Sequence, residues 1–173
     1  MIVNEKIKIK KGLIVNNEIK WTHPELVEIG YNYVLKQLKF PIAAKELKCI
    51  GSREQPDVIA FRSNCSLMIE CKTSMADFRA DFKKAERQGL LSSIGNYRLY
   101  LAPKGLIKLS LIPERWGLLE VNEKGKVEVV KFMRGNIYIG NHAPEVHQED
   151  DDYFHLSDLE KERAFLYSLL IRK

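Results

Sequence analysis

Residues 22–102 change hydrophobic period in a fixed order, and that order constrains the fold more than any single motif. Thr22-His23-Pro24-Glu25 has the form of a helix start: Thr22 is suited to cap free amides, Glu25 can complete a capping box, and Pro24 is tolerated in the first turn. The periodicity predicts a helix to about Lys39, packing through Leu26, Ile29, Tyr33 and Leu38. Three strand candidates follow, Ile42–Cys49, Asp57–Arg62 and Ser66–Lys72, separated by breaks at Gly51-Ser52 and Ser63-Asn64. A second helix is expected after Thr73-Ser74, where Ser74 and Asp77 have capping-box spacing. Met75, Phe78, Phe82, Ala85 and Gly89 form its packing stripe. Tyr97–Ala102 is the next strand, closed by Pro103-Lys104-Gly105. Helix, three strands, helix and strand describe a small mixed α/β layer domain.

The flanking segments read as additions to that core. Residues 2–20 suggest short strands or an edge ribbon, with Ile7 and Ile9 alternating with lysines and Asn16-Asn17 marking a turn. Trp116–Val121 and Lys126–Phe132 suggest a hairpin around Asn122–Gly125. A last helix is expected from Ser157, with Asp158 and Glu160 favouring its amide end and Leu159, Ala164, Leu166 and Leu170 available for packing. The acidic run Glu149–Asp152 before it reads as an exposed loop. At 173 residues, 45 % hydrophobic and 29 % charged, the chain fits one domain over residues 1–173, with its core at about 22–121.

Composition also narrows the function classes. Lys6, Lys8 and Lys10 interrupt the apolar residues that a secretory leader needs, and the apolar stretches are too short to span a bilayer. Cys49, Cys65 and Cys71 form an odd, widely spaced set with no zinc pattern, which suits a reducing cytoplasm. No Gly-x-x-x-x-Gly-Lys-Ser/Thr run supports a nucleotide-using enzyme. The formal charge of +5 is uneven, with a basic body up to residue 140 and an acidic remainder. A basic body can attract a phosphate backbone, although ordinary surface solvation accounts for the same charge.

The chemistry concentrates in Gln55-Pro56-Asp57 and Met68-Ile69-Glu70-Cys71-Lys72. Period-two geometry puts Glu70 and Lys72 on one face of their strand, with Ile69 and Cys71 on the other. If the preceding strand pairs with it, Asp57 approaches the same end. Two carboxylates supply hard oxygen ligands for Mg²⁺, to which the peptide carbonyl of Cys71 could add another. The Lys72 ammonium could stabilise developing phosphoryl charge or position the attacking water. The structural alternative is a surface salt bridge, because Glu-x-Lys is common on solvated strand faces.

This passage resembles the PD-(D/E)xK nuclease superfamily, with Pro56-Asp57, twelve intervening residues and then Glu70-Cys71-Lys72. A more specific resemblance is to the MmcB-like DNA-repair group. It rests on Arg53-Glu54-Gln55-Pro56-Asp57, on Glu70-Cys71-Lys72, and on the run Ser74-Met75-Ala76-Asp77-Phe78-Arg79-Ala80-Asp81-Phe82-Lys83. It continues through Arg98–Pro103 and Ile112–Leu118, so it covers roughly residues 42–121. The chain departs from that group in lacking Arg-Ala before Asp57 and in having Phe82-Lys83-Lys84 where a Lys-Trp pair is usual. The resemblance implies a restriction-endonuclease-like αβββαβ core with a central mixed sheet flanked by helices. It implies Asp57 and Glu70 as metal ligands and Lys72 as the catalytic lysine. Glu46 matches an acidic residue of the first core strand, and Glu28 is the positional candidate on the first helix. A surface salt bridge is the alternative for either.

Several neighbours have two readings. Asp77 is most simply a capping residue, whereas Asp81 could orient Lys72 or pair with Lys84. Arg79, Lys83, Lys84 and Arg87 could guide DNA or simply solvate a helix. Trp21, Trp116 and Tyr97 read as packing aromatics. The expectation is a cytoplasmic, Mg²⁺-dependent deoxyribonuclease with Mn²⁺ as a substitute ion, more an endonuclease than an exonuclease, serving repair, restriction or mobile-element processing. DNA is the expected partner, a homodimer is compatible with a two-stranded substrate, and no membrane is involved. The alternative is a catalytically weak nucleic-acid-binding or scaffold protein with a nuclease-like fold.

Overall fold

The computed structural model describes residues 13–15, 18–133, 137 and 152–172. A short antiparallel ribbon, β1 (Leu13–Val15) and β2 (Glu18–Lys20), precedes α1 (His23–Lys36). Then come β3 (Ile42–Lys45), β4 (Val58–Phe61), β5 (Ser66–Cys71), α2 (Met75–Asp81) and β6 (Tyr97–Pro103). A 3-10 turn at Leu109–Leu111 leads to β7 (Trp116–Val121), β8 (Val127–Lys131) and, after the acidic segment, α3 (Leu159–Ile171). The expected ribbon residues 2–12, the turn at Asn16-Asn17 and the acidic residues Glu149–Asp151 lie outside the described residues.

Strands β3 to β8 form one six-stranded sheet in sequence order. Pairing is antiparallel for β3–β4 and β4–β5, parallel for β5–β6 and β6–β7, and antiparallel again for β7–β8. The parallel pairs need long connections, and α2 with the turns after it supplies the first of them. Every residue of β4 and β5 is buried, so side chains alternate between two apolar layers. Val58, Ala60, Leu67, Ile69 and Leu101 face α1, which contributes Leu26, Val27, Ile29, Tyr33 and Val34. Ile59, Met68, Tyr100 and Leu118 face the opposite layer, with Phe78 of α2 and Phe165 of α3. Gly30 lets α1 settle onto the sheet, since a Cβ there would stand 3.2 Å from Leu101 Cδ2. The described residues therefore form an α/β fold, a mixed sheet flanked by three helices. Among the described residues no helix is long and apolar enough to cross a membrane.

The start of α1 follows the local signal: the Glu25 carboxylate accepts from the Thr22 N–H at 2.8 Å and from its hydroxyl at 2.7 Å. The hairpin between β7 and β8 also forms where Asn122 and Gly125 predict it, with Gly125 at φ +77°. Two boundaries and one packing face depart most from expectation. β3 ends at Lys45 rather than Cys49, because Glu46 takes a left-handed backbone with φ +46° and turns the chain. α2 ends at Asp81, so Ala85 and Gly89 do not extend its packing stripe. Residues 82–90 form turns, with Gly89 at φ +71°. Met75, Phe78 and Phe82 still pack onto the sheet as predicted. α3 buries Glu162, Phe165 and Ser168, leaving Leu159 and Leu170 71 % and 64 % exposed rather than packed. At about 100° per residue, both leucines fall more than about 90° from Phe165 around the helix.

Candidate active site

The β4–β5 register brings the conspicuous residues together. Val58 is paired with Ile69, so one step further along the ladder sets Asp57 across from Glu70. Asp57 itself lies in the bend just before β4, and the Cys71 N–H donates to its Oδ2 at 2.6 Å. Along β5, Cys71 joins Ile69 in the layer under α1. Glu70 and Lys72 take the other face, and there the Lys72 ammonium lies 3.3 Å from Glu70 Oε2. The two-residue offset thus does what strand geometry predicts.

The solvated ion pair offered as an alternative does not describe this pair, because both side chains are only 5 % exposed. They belong to a buried ionic cluster. Arg87 donates from Nη2 to Glu70 Oε1 and from Nε to Asp81 Oδ2, each at 2.9 Å. Lys84 reaches Asp81 Oδ1 at 2.6 Å and Glu70 Oε2 at 3.5 Å. Lys72 approaches Asp81 Oδ1 at 3.5 Å, and the Tyr100 hydroxyl donates to Asp81 Oδ2 at 2.8 Å. Asp81 therefore does both things expected of it, contacting Lys72 and pairing with Lys84. Ser74 Oγ accepts from the Asp77 N–H at 3.1 Å, which caps α2.

Arg87 corrects the expectation of a DNA-guiding surface residue. Its side chain is 4 % exposed, and its guanidinium sits 4.7 Å from the centre of the Trp116 ring. Its Nη1 is buried without a hydrogen-bond partner, 3.7 Å from Glu54 Oε1. Lys84 is also committed to carboxylates, although its side chain is 47 % exposed; Arg79 and Lys83 are exposed as well. Trp21, Trp116 and Tyr97 are buried packing residues, as predicted.

The two aspartates have opposite electrostatic environments. Burial, reinforced by the charge of Glu70, pushes Asp57 up to about 6, against the opposing Cys71 N–H, His23 and Lys72. Burial also works against the charged form of Asp81, but Arg87, Lys72 and Lys84 outweigh it and hold this carboxyl far below the usual range. Cys71 is raised well above an ordinary thiol by burial first and then by the charges of Asp57 and Glu70, and its side chain packs in the layer under α1.

The remaining expected ligands separate. Glu28 is taken up by Lys45 at 2.5 Å and by the Asn32 amide at 2.9 Å, the salt-bridge role that was its alternative. Glu46 stands beside Asp57, its N–H donating to the Asp57 carbonyl at 2.9 Å and its side chain 55 % exposed. His23 joins them, with Nε2 3.2 Å from Asp57 Oδ1. Sequence reasoning did not single out His23, or Arg87 as a partner of Glu70. The antiparallel register of β3 and β4 could have placed Glu46 opposite Asp57, but the approach of the α1 terminus leaves no local sequence signal. Among the described residues the donor atoms that lie within 4.8 Å of one another are those of His23, Glu46 and Asp57, a group that does not include Glu70. Among the described residues no lysine or arginine lies within ion-pair distance of Asp57, whereas Glu70 already holds cations on both oxygens.

No family model matches this chain, and no curated protein matches it. It is similar to the solved structure of a protein of unknown function from Silicibacter pomeroyi. The identity is 20 %, over 88 % of this chain and 89 % of that one, with a TM-score of 0.52. At that identity the likeness bears on the fold alone.

Proposed function

We propose that this protein is a metal-dependent nuclease that hydrolyses DNA phosphodiester bonds, and that its core is the restriction-endonuclease-like αβββαβ arrangement. The observation that carries the reading is the joining of Asp57 to the Glu70–Lys72 strand through the Cys71 N–H, which gathers two carboxylates and an ammonium at one end of β4 and β5. The order of α1, β3, β4, β5, α2 and β6 fits that core, and the basic balance of the chain suits a polyanion.

In this reading Asp57 and Glu70 hold Mg²⁺, with Mn²⁺ as a substitute. When bound, such an ion supplies a Lewis acid for the phosphate and lowers the pKa of the attacking water. Lys72 presents its ammonium to charge that develops on the phosphoryl oxygens. Asp81 positions Lys72 and is itself fixed by Tyr100 and Arg87. Exposed Arg79 and Lys83 hold the backbone of the substrate. The proposal extends to a cytoplasmic endonuclease in repair, restriction or mobile-element processing, acting as a homodimer where both strands are cut.

One observation favours a second reading. Both oxygens of Glu70 are already neutralised by Lys72, Lys84 and Arg87, as in a catalytically weak nucleic-acid-binding or scaffold protein. A cleavage screen over linear, nicked, forked and four-way-junction DNA, with RNA alongside, separates the two. The nuclease predicts cleavage of DNA in Mg²⁺ or Mn²⁺ that stops in chelator. DNA binding with no cleavage in either ion would select the second reading.

A further inference from the structure

Three chain segments converge on the side of Asp57 away from Cys71: the first residue of α1, the turn after β3 and the bend before β4. They bring one donor atom each from His23, Glu46 and Asp57 to within 4.8 Å of one another. His23 Nε2 lies 3.2 Å from Asp57 Oδ1 and 3.9 Å from Glu46 Oε1. Asp57 Oδ2 is occupied by the Cys71 N–H, so Oδ1 is the oxygen that meets the imidazole. Glu46 is anchored by its backbone alone: its N–H bonds to the Asp57 carbonyl, and its own carbonyl accepts from Gln55 Nε2 at 3.2 Å. Among the described residues no lysine or arginine comes within ion-pair distance of either carboxylate. That contrasts with the Glu70–Asp81 cluster, where the carboxylates already have cationic partners.

One imidazole nitrogen and two carboxylates are a mixed donor set. Carboxylates alone accept Mg²⁺ or Ca²⁺, but an imidazole nitrogen shifts preference toward the later first-row ions. We propose that His23, Glu46 and Asp57 form a site for a divalent transition-metal ion, taken in preference to Mg²⁺, with Asp57 shared between this site and Glu70. The proposal rests on the reading of Asp57 as a metal ligand and adds His23 as a direct ligand. It makes metal choice, rather than the chemistry at Lys72, the task of the α1 terminus.

The test uses the full chain, stripped of metal with chelator and titrated with Co²⁺ while visible absorption is followed. A parallel titration with Zn²⁺ follows the imidazole ¹⁵N resonances of His23. Wild type is expected to bind Co²⁺ and to shift the His23 resonances. His23→Asn is expected to weaken Co²⁺ binding by at least the roughly 10–100-fold that loss of even an outer partner costs, with a much smaller change for Mg²⁺. Glu46→Gln should weaken Co²⁺ in the same direction, and circular dichroism checks that each variant is folded. Unmoved His23 resonances at saturating Zn²⁺, or a folded His23→Asn that binds Co²⁺ as tightly as wild type, would overturn the proposal. If His23→Asn does not fold, undiminished Co²⁺ binding by Glu46→Gln overturns it instead. Cleavage by wild type, measured alongside, keeps this failure distinct from failure of the nuclease reading. His23-dependent Co²⁺ binding with no cleavage by wild type sinks only the nuclease, whereas Mg²⁺-dependent cleavage without His23-dependent Co²⁺ binding sinks only this site.

Discussion

Asp57 is held to the strand of Glu70 and Lys72 by one backbone hydrogen bond, from the Cys71 N–H to Oδ2 at 2.6 Å. The bond costs the cluster nothing in side chains, because the Cys71 thiol packs into the opposite layer. It also leaves Asp57 next to the negative Glu70 while the cations gather around Glu70 and Asp81. The arrangement concentrates unmet negative charge at Asp57, and this has consequences that can be measured.

The first concerns stability against pH in chelator. Asp57 is raised from 3.8 to about 6, so its contribution to stability is present below its ordinary value and is lost as pH rises through about 6. His155 works the other way: burial lowers it from 6.5 to about 4, and its contribution is lost as pH falls through that value. The two oppose each other in one window, so wild type alone does not isolate Asp57. Asp57→Asn keeps an oxygen for the Cys71 N–H and removes the charge. Urea unfolding at several pH values should show it more stable than wild type at pH 7 by up to about 3 kcal/mol, with the gap closing near pH 4. An unchanged difference across that range would contradict the burial argument.

Arg87 is expected to be structural. It donates to both Glu70 and Asp81, and its removal leaves two buried carboxylates with only Lys72 and Lys84. Arg87→Met should lower stability by about 3–5 kcal/mol in chemical denaturation. A loss below about 1 kcal/mol would mean that the cluster relaxes toward solvent when the guanidinium is absent.

Exposed Arg79 and Lys83 offer the complementary test. Replacing both with Ala should weaken DNA binding and reduce the slope of log affinity against log salt by up to about 2, since each phosphate contact contributes about 0.9. Fluorescence anisotropy at several salt concentrations reads this directly, and an unchanged slope would place the DNA elsewhere on the surface.

Much of this was legible in the sequence where a local rule governs. The order of the core elements, the caps at Thr22 and Ser74 and the shared face of Glu70 and Lys72 follow from periodicity and capping. What escaped was tertiary. The turn at Glu46 that ends β3 depends on a left-handed backbone that no residue preference announced. Residues 82–90 carry apolar spacing suited to a longer helix, yet they turn, and the turns deliver Lys84 and Arg87 into the buried cluster. Burial of Glu70 and Lys72 was equally hidden, since alternating charges on a strand look the same whether they face water or a network of partners. His23 was read only as part of a helix start, because its proximity to Asp57 arises from packing of α1 against the sheet.

If Lys72 acts on the reacting phosphate, single-turnover cleavage by Lys72→Met beside wild type will show it. Methionine keeps much of the buried stem, and Arg87 and Lys84 remain to hold Glu70 and Asp81, so the variant should fold, which circular dichroism checks. A lost ammonium should harm the transition state more than docking of DNA, so cleavage should slow by about 10²–10³ with DNA affinity largely kept. A folded Lys72→Met that cuts at the wild-type rate, or wild-type protein that leaves every DNA substrate intact in Mg²⁺ and in Mn²⁺, would contradict it.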